Sequence, residues 1–221
     1  MRQIITNIFQ NARISARLLR PIEKPHKKVY NTHLMKRIIA IFLGVFLCGT
    51  SFAASTSNPF TRDFKNQISF NLGQGIDSGI IVPLPLRPVP FYLLHLQYSQ
   101  PTTFFTLPAR QSLNVGQTIG LGPKYGWDWD EYTIPMVFLS QDVALSYYKN
   151  IYVAAGFGVG LQAQQNERLG AKLLFQFKLT GGYHINDKWA IEIFMQHFSN
   201  ANTAPENYSY AFYGAGVTYN F

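Results

Sequence analysis

The chain has 221 residues, 47% of them hydrophobic and 15% aromatic, with one cysteine and a formal net charge of +8. That charge is confined to one end: residues 1–37 hold nine Lys/Arg against the single acid Glu23, while residues 54–221 hold ten bases and ten acids. A neutral main body offers no basic face to nucleic acid, and one cysteine cannot build a disulfide framework.

Residues 1–34 read as an upstream extension of the functional protein, because the pattern that follows belongs at an N-terminus. Met35 opens it, with Lys36-Arg37, an apolar run from Ile38 to Cys48, and the small-x-small site Ser51-Phe52-Ala53. This is the layout of a secretory signal, and its run is too short for a spanning helix. An Arg-rich, acid-poor organellar transit peptide is the alternative for the upstream part. Leu47 is a poor neighbour for lipoprotein processing at Cys48, so that cysteine is expected to leave with the signal. Cleavage after Ala53 leaves about 168 residues, 54–221, as one exported, cysteine-free domain.

That domain lacks a long 3.6-residue apolar period. It has instead repeated runs of roughly ten residues that alternate in polarity and are rich in Tyr, Phe, Val and Gly. Eight strands are expected, near residues 66–77, 90–100, 111–121, 136–148, 150–162, 170–184, 188–199 and 208–221. In the fourth, Val137, Leu139, Val143 and Leu145 oppose Ser140, Asp142 and Ser146. In the fifth, Ile151, Val153, Ala155, Phe157, Val159 and Leu161 oppose Tyr152, Ala154, Gly156, Gly158, Gly160 and Gln162. In the sixth, Ala171, Leu173, Phe175, Phe177 and Leu179 oppose Lys172, Gln176, Lys178 and Thr180.

The charges choose between architectures. A soluble sandwich or lipocalin-like barrel turns its charged faces outward, whereas a membrane barrel shows lipid its apolar face and fills its lumen with small and polar groups. Gly-rich faces carrying Asp142, Lys172, Lys178 and Glu192 suit a narrow lumen with compensating ion pairs. The final run alternates and ends on Tyr219 and Phe221, as the assembly signal of bacterial outer-membrane barrels does. The expected fold is therefore all-β, an eight-stranded antiparallel transmembrane β-barrel in the outer membrane of a Gram-negative cell.

With both ends of the barrel periplasmic, odd strands run outward. Lys149-Asn150 and Ile185-Asn186-Asp187 become short periplasmic turns, and residues 79–89 and 121–135 long outer loops. Residues 101–110 form a periplasmic connection of unusual length. Trp127, Trp129, Trp189 and the tyrosines are expected at the membrane boundaries. Asp128, Asp130 and Glu131 read as a solvated loop, His95 and His184 as structural interior residues, and Gly120-Leu121-Gly122 as no nucleotide loop, since no helix follows.

The seventh strand carries chemistry. His197 and Ser199 are two apart and share a face with Ile191, Ile193 and Met195. Eleven tilted steps from Lys188 climb about 28 Å, which brings Ser199 to the outer-leaflet boundary, facing lipid. A hydroxyl becomes a nucleophile when a base takes its proton, and the imidazole needs an acceptor to orient it. Glu206 is the expected acceptor, with Asn207 as the alternative; Glu192 has the opposite parity and points into the lumen. Asn200 and the N–H groups after Ser199 are expected to receive the oxyanion.

At His197-Phe198-Ser199-Asn200-Ala201, Pro205-Glu206-Asn207 and the aromatic last strand, the chain resembles the lipid A 3-O-deacylase family, PagL. Weaker resemblance covers residues 110–221, including Gly120-Leu-Gly-Pro and Gly156-Phe-Gly-Val. The resemblance implies an eight-stranded barrel that hydrolyses the ester at position 3 of lipid A in lipopolysaccharide and releases a 3-hydroxy fatty acid, without metal or cofactor. It maps the base onto His197, the nucleophile onto Ser199, the orienting acid onto Glu206 and the oxyanion asparagine onto Asn200. The segment between Asn200 and Glu206 is several residues shorter than in the family. Outer-membrane phospholipase A carries a similar His-x-Ser-Asn motif with calcium, but it resembles a twelve-stranded barrel, too many strands for this length. A non-enzymatic structural or adhesive barrel is the other rival. Monomer and homodimer both remain open.

Overall fold

Period-2 alternation makes strands whose two faces face different solvents, and these strands close on themselves. The computed structural model describes residues 50–51, 58–76, 88–120, 133–165, 169–205, 207 and 209–221. Its strands are β1 (Thr50–Ser51), β2 (Gln67–Ile76), β3 (Pro88–Phe104), β4 (Leu107–Gly120), β5 (Ile134–Tyr148), β6 (Ile151–Gln162), β7 (Leu173–His184), β8 (Trp189–Ser199) and β9 (Tyr210–Asn220). Each of β2–β9 pairs antiparallel with its sequence neighbours, and β2 pairs with β9, so eight strands form a closed barrel without edges. These are the eight expected strands, and a twelve-stranded architecture is excluded. The two-residue β1, inside the expected signal, pairs with the end of β3. The remainder of the signal, residues 77–87 and 121–132 of the outer loops, and Glu206 lie outside the described residues.

The polarity is that of a membrane barrel. Ile193 is 70% exposed and Ile151 56%, and Phe70, Leu72, Leu96, Val115 and Leu161 share their outward face. Inward lie Ser69, Asn71, Gln97, Ser112, Asn114 and Thr218, all fully or nearly fully buried. Water outside would invert this pattern; hydrocarbon outside requires it. His95 and His184 point inward, as expected.

Short turns gather at the end where the barrel begins and closes, which is the periplasmic end by the usual rule. The chain reverses at Phe105-Thr106, at Lys149-Asn150 and at residues 185–188, where Asn186 Oδ1 accepts the N–H groups of Lys188 and Trp189, both at 2.9 Å. The first of these corrects an expectation. Residues 101–110 are not a long connection: β3 and β4 continue through them in register, Pro101 opposite Arg110 and Phe104 opposite Leu107. Pro101 is tolerated because β2 stops pairing at Ser99, so the β3 edge there is open on one side.

That correction brings Arg110 into the lumen, where it is fully buried. Its Nε donates to Asp142 Oδ2 at 2.8 Å, and its two terminal nitrogens donate to the Glu192 carboxylate at 2.6 and 3.0 Å. The first of them also donates to Gln67 Oε1 at 2.7 Å. Tyr152 donates its hydroxyl to Glu192, and Lys178 Nζ stands 3.9 Å from the same carboxylate. Two cations thus face two carboxylates. The anticipated lumenal role of Lys172 does not hold: it precedes β7 and is exposed. Gly182 makes room for the Tyr152 ring, which a Cβ there would strike. Gly182→Val is expected to prevent closure of this layer, read as loss of the heat-modifiable folded band on electrophoresis, while Gly181→Ala, facing outward with only Ile193 nearby, is expected to fold normally.

The upper lumen differs from the polar interior expected. Phe91, Phe138, Phe198, Tyr210 and Phe212 join Leu93, Met136, Leu169 and Leu174 in one apolar core. Phe138 meets Phe198 edge-on at 5.3 Å, and Phe91 lies 5.2 Å from Phe212. The barrel is therefore a solid support beneath its outer rim.

Candidate active site

His197 and Ser199 sit on the outward face of β8 near its end, both half-buried, in line with Met195, Ile193 and Ile191. Cross-strand pairing sets their surroundings. His197 stands between Phe177 on β7 and Ala211 on β9, and Ser199 opposite Phe175. Two residues of strand separate their Cα atoms by about 6.6 Å, within reach of an imidazole turned towards a hydroxyl. Phe198, between them, points inward into the aromatic core and fixes the strand from below.

Ala211 leaves a dent beside the imidazole. A small apolar crevice, lined by Ile76, Met195 and Ala211 along with His197, opens there. Sequence reading did not single out Ile76 or Ala211. The available signal was a small residue directly across from His197 on the outward face of an aromatic run.

The chain leaves β8 through a tight reversal. Ala201 and Asn202 both have positive φ, 51° and 59°, and Thr203 N–H donates to Asn200 O at 3.0 Å. These are the signs of a type I′ turn. Asn207 then closes the loop: its Oδ1 accepts the Asn200 N–H at 3.1 Å and its Nδ2 donates to Asn202 Oδ1 at 2.9 Å. Asn207, the alternative orienting residue, is thereby engaged with the loop and not with His197. Asn200 points inward, fully buried, and its amide donates to Leu169 O. Among the described residues no acceptor meets His197 Nδ1, which is buried. Nor do three His, Cys, Asp or Glu side chains gather there as a metal site.

A closed eight-stranded barrel, apolar outside and solid within, defines a small outer-membrane β-barrel, and a His and a Ser share its outward surface at one rim. The profile of the family described as lipid A 3-O-deacylase (PagL) matches residues 95–220. The chain belongs to that family, and is accordingly an ester hydrolase of the outer membrane. Among solved structures it is similar to the crystal structure of the outer membrane enzyme PagL, at 16% identity and a TM-score of 0.51, covering 70% of this chain and 99% of that one. It is also similar to a de novo designed transmembrane β-barrel (6% identity, TM-score 0.44, 71% of this chain and 95% of the design). The Yersinia pestis outer membrane protein Ail shows a comparable likeness (12% identity, TM-score 0.42, 72% of this chain and 99% of that one). No curated protein sequence matches the chain.

Proposed function

We propose that this protein hydrolyses the 3-O-linked acyl ester of lipid A through Ser199, His197 and Glu206, releasing a 3-hydroxy fatty acid. Family membership carries the substrate class, and the shared lipid-facing placement of His197 and Ser199 carries the chemistry. Export with cleavage after Ala53 delivers residues 54–221 to the membrane that contains lipopolysaccharide.

Ser199 Oγ attacks the ester carbonyl while His197 takes its proton. The tetrahedral intermediate collapses, and the sugar oxygen leaves with the proton returned by His197. Water, deprotonated by the same imidazole, then attacks the acyl-serine and frees the hydroxy acid. Glu206 accepts from His197 Nδ1, the nitrogen that an orienting carboxylate takes in a serine triad. The engagement of Asn207 elsewhere favours Glu206 for this role. Asn200 serves the oxyanion. Its backbone N–H adjoins the nucleophile and bonds to a neutral amide oxygen, a weaker acceptor than the developing anion.

The test uses purified full chain in detergent. It is expected to release 3-hydroxy acid from lipopolysaccharide in the presence of chelator and to leave phospholipid intact; calcium-dependent release from phospholipid contradicts the assignment. Glu206→Ala is expected to lower kcat by about 10²–10⁴-fold, within the range seen when a triad's orienting acid is lost. Full activity in that variant removes Glu206 from the triad.

A further inference from the structure

The periplasmic mouth of the barrel, remote from the active site, holds a recess that deacylation does not use. The segment entering β2 folds across this mouth as a plug. Phe60 is fully buried against Tyr152, ring centroids 5.1 Å apart, and lies under the Arg110 guanidinium at 4.7 Å. Asn58 Nδ2 donates to Ala109 O at 2.8 Å, and His184 Nε2 bonds Pro59 O at 2.8 Å. Between the plug and the β5–β6 turn remains a space of about 100 Å³, lined by Asn58, Arg62, Tyr147, Lys149, Asn150 and His184 among others. That is below the roughly 300–1,000 Å³ of drug-sized pockets and suits a single small polar group.

Its chemistry is one-sided. Arg62 and Lys149 supply two cations, and among the described residues no carboxylate lines the space. Both cations stand on backbone with positive φ, 56° at Arg62 and 53° at Lys149. Gly or Asn would occupy such positions at lower cost, by on the order of 1 kcal/mol. Arg62 is braced across the space by donating to Asn150 Oδ1 at 2.7 Å. The His184 ring, held through Nε2, has its other nitrogen buried with no partner among the described residues. Amide and hydroxyl donors from Asn150 and Tyr147 complete a set suited to an oxyanion with several acceptors.

The rim adjoins lipid. Tyr148 and Ile151 flank the turn on the outward face, 69% and 56% exposed, and Lys149 Nζ lies 5.2 Å over the Tyr148 ring. A cation above an exposed tyrosine at this level sits where headgroups of the periplasmic leaflet lie. We infer that this recess is a phosphate-binding site for the headgroup of a phospholipid in the periplasmic leaflet, held by Arg62 and Lys149. The barrel is thereby gripped at both leaflets, by substrate at one rim and by a phospholipid anchor at the other.

Native mass spectrometry of the purified full chain in non-ionic detergent tests this, with three probes: phosphatidylglycerol, a diacylglycerol of the same chains, and inorganic phosphate. The parent is expected to retain one phosphatidylglycerol about tenfold more tightly than Arg62→Ala/Lys149→Ala, and to retain diacylglycerol no better than that variant. Equal retention of phosphatidylglycerol by parent and variant overturns the site, as does equal retention of the two lipids by the parent. Phosphate bound by the parent without retention of any phospholipid overturns the lipid source. Lys149→Gly removes one cation while relieving the left-handed backbone, so weaker retention in that variant supports the site independently of any folding defect. Deacylation in detergent is expected to be unchanged in all these variants.

Discussion

Ser199→Ala is expected to abolish deacylation of lipopolysaccharide, with kcat down by on the order of 10⁴-fold or more, the scale of nucleophile loss in serine hydrolases. The size of the effect follows from how little else beside Ser199, among the described residues, can attack an ester. The outward neighbours of Ser199 are Phe175 across the pair and His197 along the strand. A water that nothing positions would have to replace the positioned hydroxyl, with only His197 and the oxyanion donors remaining. The variant should fold as the parent does, because the Ser199 side chain carries none of the interactions that close the barrel; Phe198 and Asn200, its inward neighbours, do that. Unchanged heat-modifiable mobility with lost activity is the expected pair of results. Loss of both would assign Ser199 to structure, and retention of both would move the nucleophile elsewhere. His197→Ala should match it within about tenfold, since members of one catalytic unit are not additive.

Arg110→Met is expected to produce the largest loss of stability from a single lumenal change, about 3–5 kcal/mol, measured by urea-dependent unfolding in detergent or vesicles. The guanidinium contacts both buried carboxylates, Asp142 and Glu192, and stacks over the Phe60 ring of the plug. Its removal leaves two buried carboxylates and one ammonium, and Lys178 is 3.9 Å from the nearer oxygen. Adding Glu192→Gln to Arg110→Met should recover part of the loss, because an amide is cheaper to bury than an unpaired charge. If Arg110→Met unfolds at the same urea concentration as the parent, the lumenal network is not what holds the lower barrel. Lys178→Met should cost less than Arg110→Met, since Lys178 makes the one long contact of the set.

Most of the barrel was legible because a strand's period reveals both its existence and its faces. The alternation around Ile151 and Val153, or Ile191 and Ile193, sorted lipid-facing from lumenal residues without knowledge of the partner strands. The same parity put His197 and Ser199 on one surface and Glu192 inside. What alternation cannot give is height. It marks Phe138, Phe198 and Phe212 as inward, but not that they meet at one level and make the upper lumen apolar. Arg110 was hidden by punctuation. Residues 101–110 read as a long connection, yet Pro101 and Pro108 are both accommodated within the β3–β4 pairing. Lys172 had the right parity but lay one residue before β7, where exposure replaced burial.

The candidate site divides along the same line. Its two strand residues follow from spacing, whereas its loop residues depend on backbone that a sequence does not specify. The left-handed pair Ala201-Asn202 sets the reversal, and neither residue is a glycine to announce it. Asn207 therefore could be proposed as an orienting partner of His197, while its amide in fact ties the loop back to Asn200 and Asn202. The inward aim of Asn200 follows from parity, but its bond to the Leu169 carbonyl joins segments 31 residues apart and has no sequence signature.

The most direct measurement of the central claim is mass spectrometry of lipid A from a Gram-negative cell with and without this protein. Lipid A from expressing cells is predicted to lose the mass of one 3-hydroxyacyl chain from position 3, with the matching free 3-hydroxy acid recovered. Identical lipid A in the two strains, with the protein folded in the outer membrane and again inactive on purified lipopolysaccharide in detergent, would contradict the account.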